Sequence, residues 1–219
     1  MEVYSQSILA IDEVFRRLAF GYNGGDTPHT STAVAYGLIL NYFDQTVDNR
    51  VLPDILKAEA LRGSVFDAQR YPQAAYLHKY LLRHGRLAPG PLGRWGKGVI
   101  RRLKRFWRMK VWHQGVTVHG RFGGYGAQKA WKLIKREIDS NRPAMVTAFY
   151  GQVQDKGELF RTMVACGYRI ISPGRCEILV HTGRYDRHIK GSRAQLLYIP
   201  LRSVMCSYSF NVALLASAL

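Results

Sequence analysis

Acidic residues are scarce in this chain. It holds 15 Asp and Glu against 32 Lys and Arg, which gives a formal net charge of +17. No acidic residue occurs between Asp67 and Glu137. Because an unpaired charge is too costly to bury, the cations of that stretch must face solvent or an anionic partner.

Cysteines are few, and long apolar runs are missing. Cys166, Cys176 and Cys206 lack the spacing of a metal site, and an odd number makes a poor disulfide framework. Their apolar neighbours indicate buried thiols that act as small hydrophobes. No stretch reaches the ~18 uninterrupted apolar residues of a membrane-spanning helix, and the first residues lack the features of a signal peptide. We expect no metal, no cofactor and a cytoplasmic location.

Helical patterns dominate the first part of the chain and strand patterns the last. Apolar spacing, prolines and glycines predict helices over Ser7–Phe20, Ser31–Phe43, 53–62, 72–84 and Gln128–Asp139. A strand is predicted at Gly115–His119, and successive strands follow from Pro143 onwards: AMVTAFYG, RTMVACGYRII, CEILVHTG, AQLLYIPL and SYSFNVALL. Helices followed by strands predict an α+β fold with an antiparallel sheet.

Seven residues, Gly120–Gly126, form the glycine-rich sequence GRFGGYG. The segment lacks the Lys-Ser/Thr pair of a P-loop, and no clear apolar strand leads into it as a dinucleotide fold requires. We interpret it as a flexible turn and not as a phosphate-binding loop.

A basic insert at residues 89–114 divides a helical lobe (1–88) from a sheet lobe (115–219). Ten Lys and Arg lie between Arg83 and Lys110, interleaved with aromatic residues. Such a mixture suits single-stranded nucleic acid or an anionic membrane surface. A solvated face with inward-packed aromatics is the alternative. The candidate ligand-binding residues are Arg101, Arg102, Lys104, Arg105 and Trp107.

The segment Asn141–Tyr168 carries a family resemblance. It reads as a strand after RPAM, a polar loop, and a second strand that ends in Cys-Gly-Tyr. Together with the helix STAVAYGLILNYF and the later ILVHTG, this order resembles papain-like cysteine peptidases, especially the bacterial double-glycine-peptidase-like group. The resemblance implies one papain-like domain in which N-terminal helices pack on a C-terminal antiparallel sheet.

The resemblance also assigns catalytic positions. Counting back from Tyr42 along the helix puts the nucleophile position at Ser31, whereas alignment on Thr32-Ala33 puts it at His29. We prefer Ser31, because an insertion inside a packed helix is costly. The base position, six residues before Gly167, holds Arg161.

Three further positions follow from the same comparison. The residue that orients the base corresponds to His181 or Thr182. Arg184 replaces the tryptophan that shields the catalytic residues. Asn23 is the one amide near the position of the oxyanion donor.

Neither Ser31 nor Arg161 provides the chemistry of a cysteine peptidase, since arginine stays protonated in proteins. Three explanations fit these residues. The chain is a natural pseudoenzyme, or an enzyme whose nucleophilic cysteine has been replaced by Ser31. In the third, it belongs to another family, and Ser31 and Arg161 are ordinary residues. We expect a catalytically degenerate protein that binds a peptide or protein in the former cleft. The alternative ligand for the same cleft is an anionic one, because Arg161 would add a fixed positive charge near a helix N-terminus.

Overall fold

The structure, a computed structural model, describes residues 4–8, 31–52, 81, 115–149, 160–182 and 196–214. Besides the single helical residue Leu81, this part of the chain contains the helices α1 (Ser31–Thr46) and α2 (Ala127–Asp139). Its seven strands are β1 (Tyr4–Ser7), β2 (Val116–Tyr125), β3 (Ala144–Phe149), β4 (Phe160–Ser172), β5 (Arg175–His181), β6 (Leu196–Pro200) and β7 (Val204–Leu214). A short 3₁₀ turn, Leu201–Ser203, joins β6 to β7.

All seven strands form one sheet in which every described pair is antiparallel. The strand order is β2-β7-β3-β4-β5-β6, and β1 pairs with β4 beyond the start of β3. The predicted α+β class with an antiparallel sheet is therefore confirmed. Neither described helix is long and apolar enough to cross a membrane.

The two helices pack on opposite faces of the sheet. Strand β7 shows this directly, because the ring centroid of Phe210 lies 5.3 Å from that of Tyr36 on α1. Ser207, three residues earlier, faces the other helix: a Cβ at Gly123 would approach both Ser207 Oγ and the Leu133 side chain of α2. Residues separated by an odd number along a strand point to opposite faces. We call these the α1 face and the α2 face.

The two helices differ in how much of their surface is buried. Every residue of α1 from Ala33 to Asp44 is buried, as expected for a helix that is apolar on nearly all sides. In contrast, α2 is amphipathic and packs Ala130, Leu133, Ile134 and Ile138 inward, with lysines and arginines on its outer side. Only α2 presents a broad polar surface among these two elements.

Two predictions of local structure were wrong. The sequence GRFGGYG is mostly strand, because β2 continues to Tyr125 with an irregularity between Phe122 and Gly124. Gly123 lets α2 approach closely, since an added Cβ would lie 2.5 Å from Leu133 Cδ1 and 2.6 Å from Ser207 Oγ. Ser7 ends strand β1 and does not begin a helix.

Some predicted elements lie outside the described residues. They include the helix over 53–62, the basic insert, and the part of the first predicted helix after Ile8. Of the helix over 72–84 only Leu81 is described, and it is helical and fully buried.

Candidate functional site

The start of α1 meets strand β4. Ser31 Oγ accepts a hydrogen bond of 3.3 Å from the backbone N–H of Thr162. The described pairing of β4 with β5 ends at Val164, which pairs with His181. No described residue of β5 therefore pairs with Thr162. The contact brings the predicted nucleophile position to the predicted strand.

Three threonine hydroxyls extend this contact into the sheet. Thr162 Oγ1 lies 3.1 Å from Thr32 Oγ1 on α1 and 3.1 Å from Thr147 Oγ1 on β3. Thr147 and Thr162 are direct cross-strand partners on the α1 face, and both are buried. A hydroxyl can donate one hydrogen bond and accept two, so these contacts satisfy the buried hydroxyls of Thr147 and Thr162. We call Ser31, Thr32, Thr147 and Thr162 the hydroxyl cluster.

Arg161 lies on the predicted strand but not on the predicted face. It precedes Thr162 and pairs with Ala148, so its Cβ points to the α2 face, away from Ser31. The side chain is buried. The residue that stands opposite Ser31 at this place is Thr162, which sequence reasoning did not single out.

An irregularity in β4 explains the shift. Ala165 pairs with Val180 and Gly167 pairs with Leu179, so Cys166 is an extra residue between two consecutive pairs. In a regular strand Arg161 and Gly167 would share one face, because six residues separate them. The extra residue puts them on opposite faces.

His181 ends β5 on the α1 face. Its direct partner is Val164, two residues beyond Thr162, so His181 and Thr162 are diagonal neighbours about 7–8 Å apart. Burial lowers the pKa of His181 to about 4, and the imidazole is neutral at pH 7. Of the two residues predicted for the orienting position, His181 thus lies near the cluster by strand register. Thr182 follows it and is also buried.

Aromatic side chains border the hydroxyl cluster at the end of the sheet. Phe149 and Phe160 are cross-strand partners two residues beyond Thr147 and Thr162 on the same face, and their rings meet edge to face at 5.6 Å. Phe149 is 46% exposed. Tyr125, 57% exposed, ends β2 opposite Cys206, which in turn pairs with Thr147. Both exposed aromatics therefore lie at the edge of the α1 face where α1 begins.

All three cysteines lie on strands. Cys166 donates to the carbonyl of Leu179 at 3.5 Å. Burial raises the pKa of the Cys176 and Cys206 thiols, whereas a nucleophilic cysteine needs a lowered pKa. None of the three stands at the start of a described helix.

Other predicted site residues receive no structural placement. Asn23, His29, Arg184 and the candidates of the basic insert lie outside the described residues. Within the described ranges, no three His, Cys, Asp or Glu side chains come together as a metal site.

The chain was compared with protein families, curated proteins and solved structures. No family model, curated protein or solved structure matches the chain.

Proposed function

We propose that the chain is a papain-like binding protein without cysteine-peptidase chemistry, and that it binds a peptide at the end of the sheet where α1 begins. The observation that carries the proposal is the contact between Ser31 and Thr162. A papain-like peptidase holds a thiolate and an imidazole at such a junction of helix and sheet. Here the corresponding side chains are hydroxyls.

The surroundings of the hydroxyl cluster favour a peptide over a simple anion. Arg161, which was expected to supply a positive charge, points its Cβ to the α2 face. Phe149 and Tyr125 instead offer two exposed aromatic surfaces on the side of the cluster. Aromatic residues that are partly exposed at a concave or edge position are common anchors of peptide and protein ligands.

The chemistry of the thiols and of Ser31 argues against peptidase activity. A serine needs a base to remove its proton, and Thr162 cannot act as one. His181 is diagonal to Thr162, and with a pKa of about 4 it is a weak base at neutral pH.

A peptide-binding experiment tests the proposal. The protein is titrated against a fluorescent peptide library, and the best binder is measured again with Phe149→Ala and Tyr125→Ala. Loss of an aromatic anchor at an interface costs about 1–2 kcal/mol or more, so we expect each change to weaken binding roughly tenfold. Tyr4→Ala is the matched control, because Tyr4 is 54% exposed and lies on β1, which pairs with the far part of β4.

Two results would contradict the proposal. One is the absence of any binder in the library at millimolar protein. The other is a Tyr4→Ala variant that loses as much affinity as Phe149→Ala.

The second candidate is an active hydrolase whose nucleophilic cysteine is replaced by Ser31. The observation in its favour is the place of Ser31 at the start of α1, since a helix N-terminus stabilises a thiolate. The test is Ser31→Cys assayed with a peptide library and an iodoacetamide probe. Turnover that the probe abolishes would support the hydrolase, and alkylation without turnover would support the binding protein.

A further inference from the structure

The positive charge of the described residues is concentrated on one segment. Residues 115–149 contain six Lys and Arg and two carboxylates, a net charge of +4. The two carboxylates have partners: Glu137 binds Arg136 and Arg142, and Asp139 binds Lys135. The other cations of the segment, Arg121, Lys129 and Lys132, make no ion pair with described residues.

These cations share the outer side of α2 and the adjoining part of β2. Lys129, Lys132 and Arg136 are exposed and follow one another at helical spacing, which forms a stripe about 10 Å long at 1.5 Å per residue. The stripe borders β2, because the Lys129 side chain lies 2.9 Å from where Gly124 would carry a Cβ. The other flank of α2 faces β4, since the rings of Trp131 and Tyr168 are 5.0 Å apart.

Strand β2 adds exposed groups on the same face. Arg121 pairs with Ser209, the neighbour of Phe210, whose ring packs on α1. Alternation therefore puts Arg121 on the α2 face, together with the exposed pair His119 and Asn211. We call this set of exposed residues on α2 and on the α2 face of β2 and β7 the basic face; its members are His119, Arg121, Lys129, Lys132, Arg136 and Asn211.

We propose that the basic face binds the phosphate backbone of nucleic acid. Cations next to polar hydrogen-bonding side chains match phosphates and sugars, which take most protein hydrogen bonds in such complexes. An anionic membrane fits less well, because the exposed large apolar side chains described lie away from these cations. Tyr4 lies beside Tyr168 on the other flank of α2, and Val47, Tyr125, Phe149 and Tyr198 lie at the end of α1 or on the α1 face. Interfacial binding needs such side chains to enter the headgroup region.

The sequence that leads into β2 supports the same partner. The acid-free stretch ends at Glu137, so the cations of residues 89–114 and those of α2 belong to one stretch without a carboxylate. The peptide site of the α1 face lies on the other side of the sheet, and this proposal does not depend on it. Contacts to phosphate carry no sequence information, and we expect similar affinity for unrelated sequences.

The experiment is a salt titration with single substitutions. A fluorescently labelled duplex is titrated with the wild-type protein at several salt concentrations, and the slope of log K against log[salt] is compared with those of Arg121→Gln, Lys129→Gln and Lys132→Gln. Each phosphate contact contributes about −0.9 to the slope for duplex DNA. We expect each substitution to reduce the slope by about that amount and the triple variant by nearly three times as much. Arg175→Gln, an exposed arginine next to the β4–β5 turn, is the matched control and should leave the slope unchanged.

Vesicles of phosphatidylserine and phosphatidylcholine form the second arm. The proposal is supported if the triple variant binds the duplex more weakly than the wild type does and its vesicle binding does not weaken in parallel. Duplex binding with the same slope in the wild type and the triple variant overturns it, because the contacts then lie elsewhere. Vesicle binding that the triple variant loses, with no duplex binding at low salt, also overturns it and assigns the basic face to a membrane surface.

Discussion

At the scale of single residues, His181, near the hydroxyl cluster, makes the free energy of unfolding depend on pH. Its pKa is lowered to about 4 in the folded protein by burial, against about 6.5 for an exposed histidine. Between these values the unfolded chain binds the proton and the folded one does not, so the free energy of unfolding falls as the pH falls. The full effect of the shift is about 3 kcal/mol.

We therefore predict that His181→Gln removes part of the acid sensitivity. Urea unfolding at pH 7.5 and at pH 5 should show a smaller loss of stability in the variant than in the wild type, because glutamine takes up no proton. Carboxylates contribute equally to both proteins and cancel in the comparison. An identical loss in both proteins would mean that His181 is not held neutral by the fold.

Single residues were also where prediction from sequence failed most clearly. Ser31 was found by counting along a helix, and the structure brings it to β4. Arg161 was found by counting back from Gly167 along a strand that contains an extra residue at Cys166. A one-residue irregularity reverses the face of every side chain beyond it. Nothing in the letters RTMVACGY marks that irregularity, so Thr162 could not be chosen over Arg161.

At the scale of elements, periodicity was a good guide wherever an element is long and amphipathic. The helix predicted over Gln128–Asp139 is observed as Ala127–Asp139, and the predicted strands fall on β3 to β7. The glycines of GRFGGYG were interpreted as a turn, and that prediction was wrong. Gly123 instead leaves room for α2 to pack against the strand. Gly123 meets Leu133 of α2, a residue ten positions later, and such a contact is visible only in three dimensions.

The junction of β1 and β4 provides a test at this scale. A Cβ at Gly167 would lie 2.8 Å from the backbone oxygen of Gln6 and 3.1 Å from Ser7 Cβ. Since the Gln6 oxygen belongs to the backbone, only a shift of β1 can relieve the clash. We predict that Gly167→Ala destabilises the protein by about 1–3 kcal/mol, the usual cost of overpacking.

Chemical denaturation measures this change, with Ser5→Ala as the control, because Ser5 is an exposed residue of β1. The control should stay within about 0.5 kcal/mol of the wild type, as surface substitutions usually do. If Gly167→Ala were equally neutral, β1 would not pack against β4 as closely as the distances imply. Amide exchange of residues 4–8 would then show where β1 had moved.

At the scale of the whole molecule, the order of helical and strand patterns along the chain predicted the class and left the strand arrangement open. Helices followed by strands indicated an α+β protein, and the seven-stranded antiparallel sheet agrees. The order β2-β7-β3-β4-β5-β6 depends on β7 inserting between β2 and β3, a pairing of residues 56 to 98 positions apart. Local patterns carry no information about which distant strands pair. The hydroxyl cluster and the basic face lie on opposite sides of the sheet because side chains alternate between its faces along each strand.

The net charge of +17 gives the last prediction. Mutual repulsion among so many cations destabilises the compact state, and added salt screens it, since the Debye length falls to about 10 Å at 0.1 M. We predict that the melting temperature rises between 20 mM and 200 mM ionic strength, by about 2–4 °C for each kcal/mol of relieved repulsion. Sodium chloride and potassium fluoride at equal ionic strength should act alike, because screening does not depend on the identity of the ion. A melting temperature that falls with salt would mean that ion pairs such as Arg169–Glu177 outweigh the repulsion. A rise with only one of the two salts would indicate specific anion binding, in which case the ion stabilises the folded state by mass action.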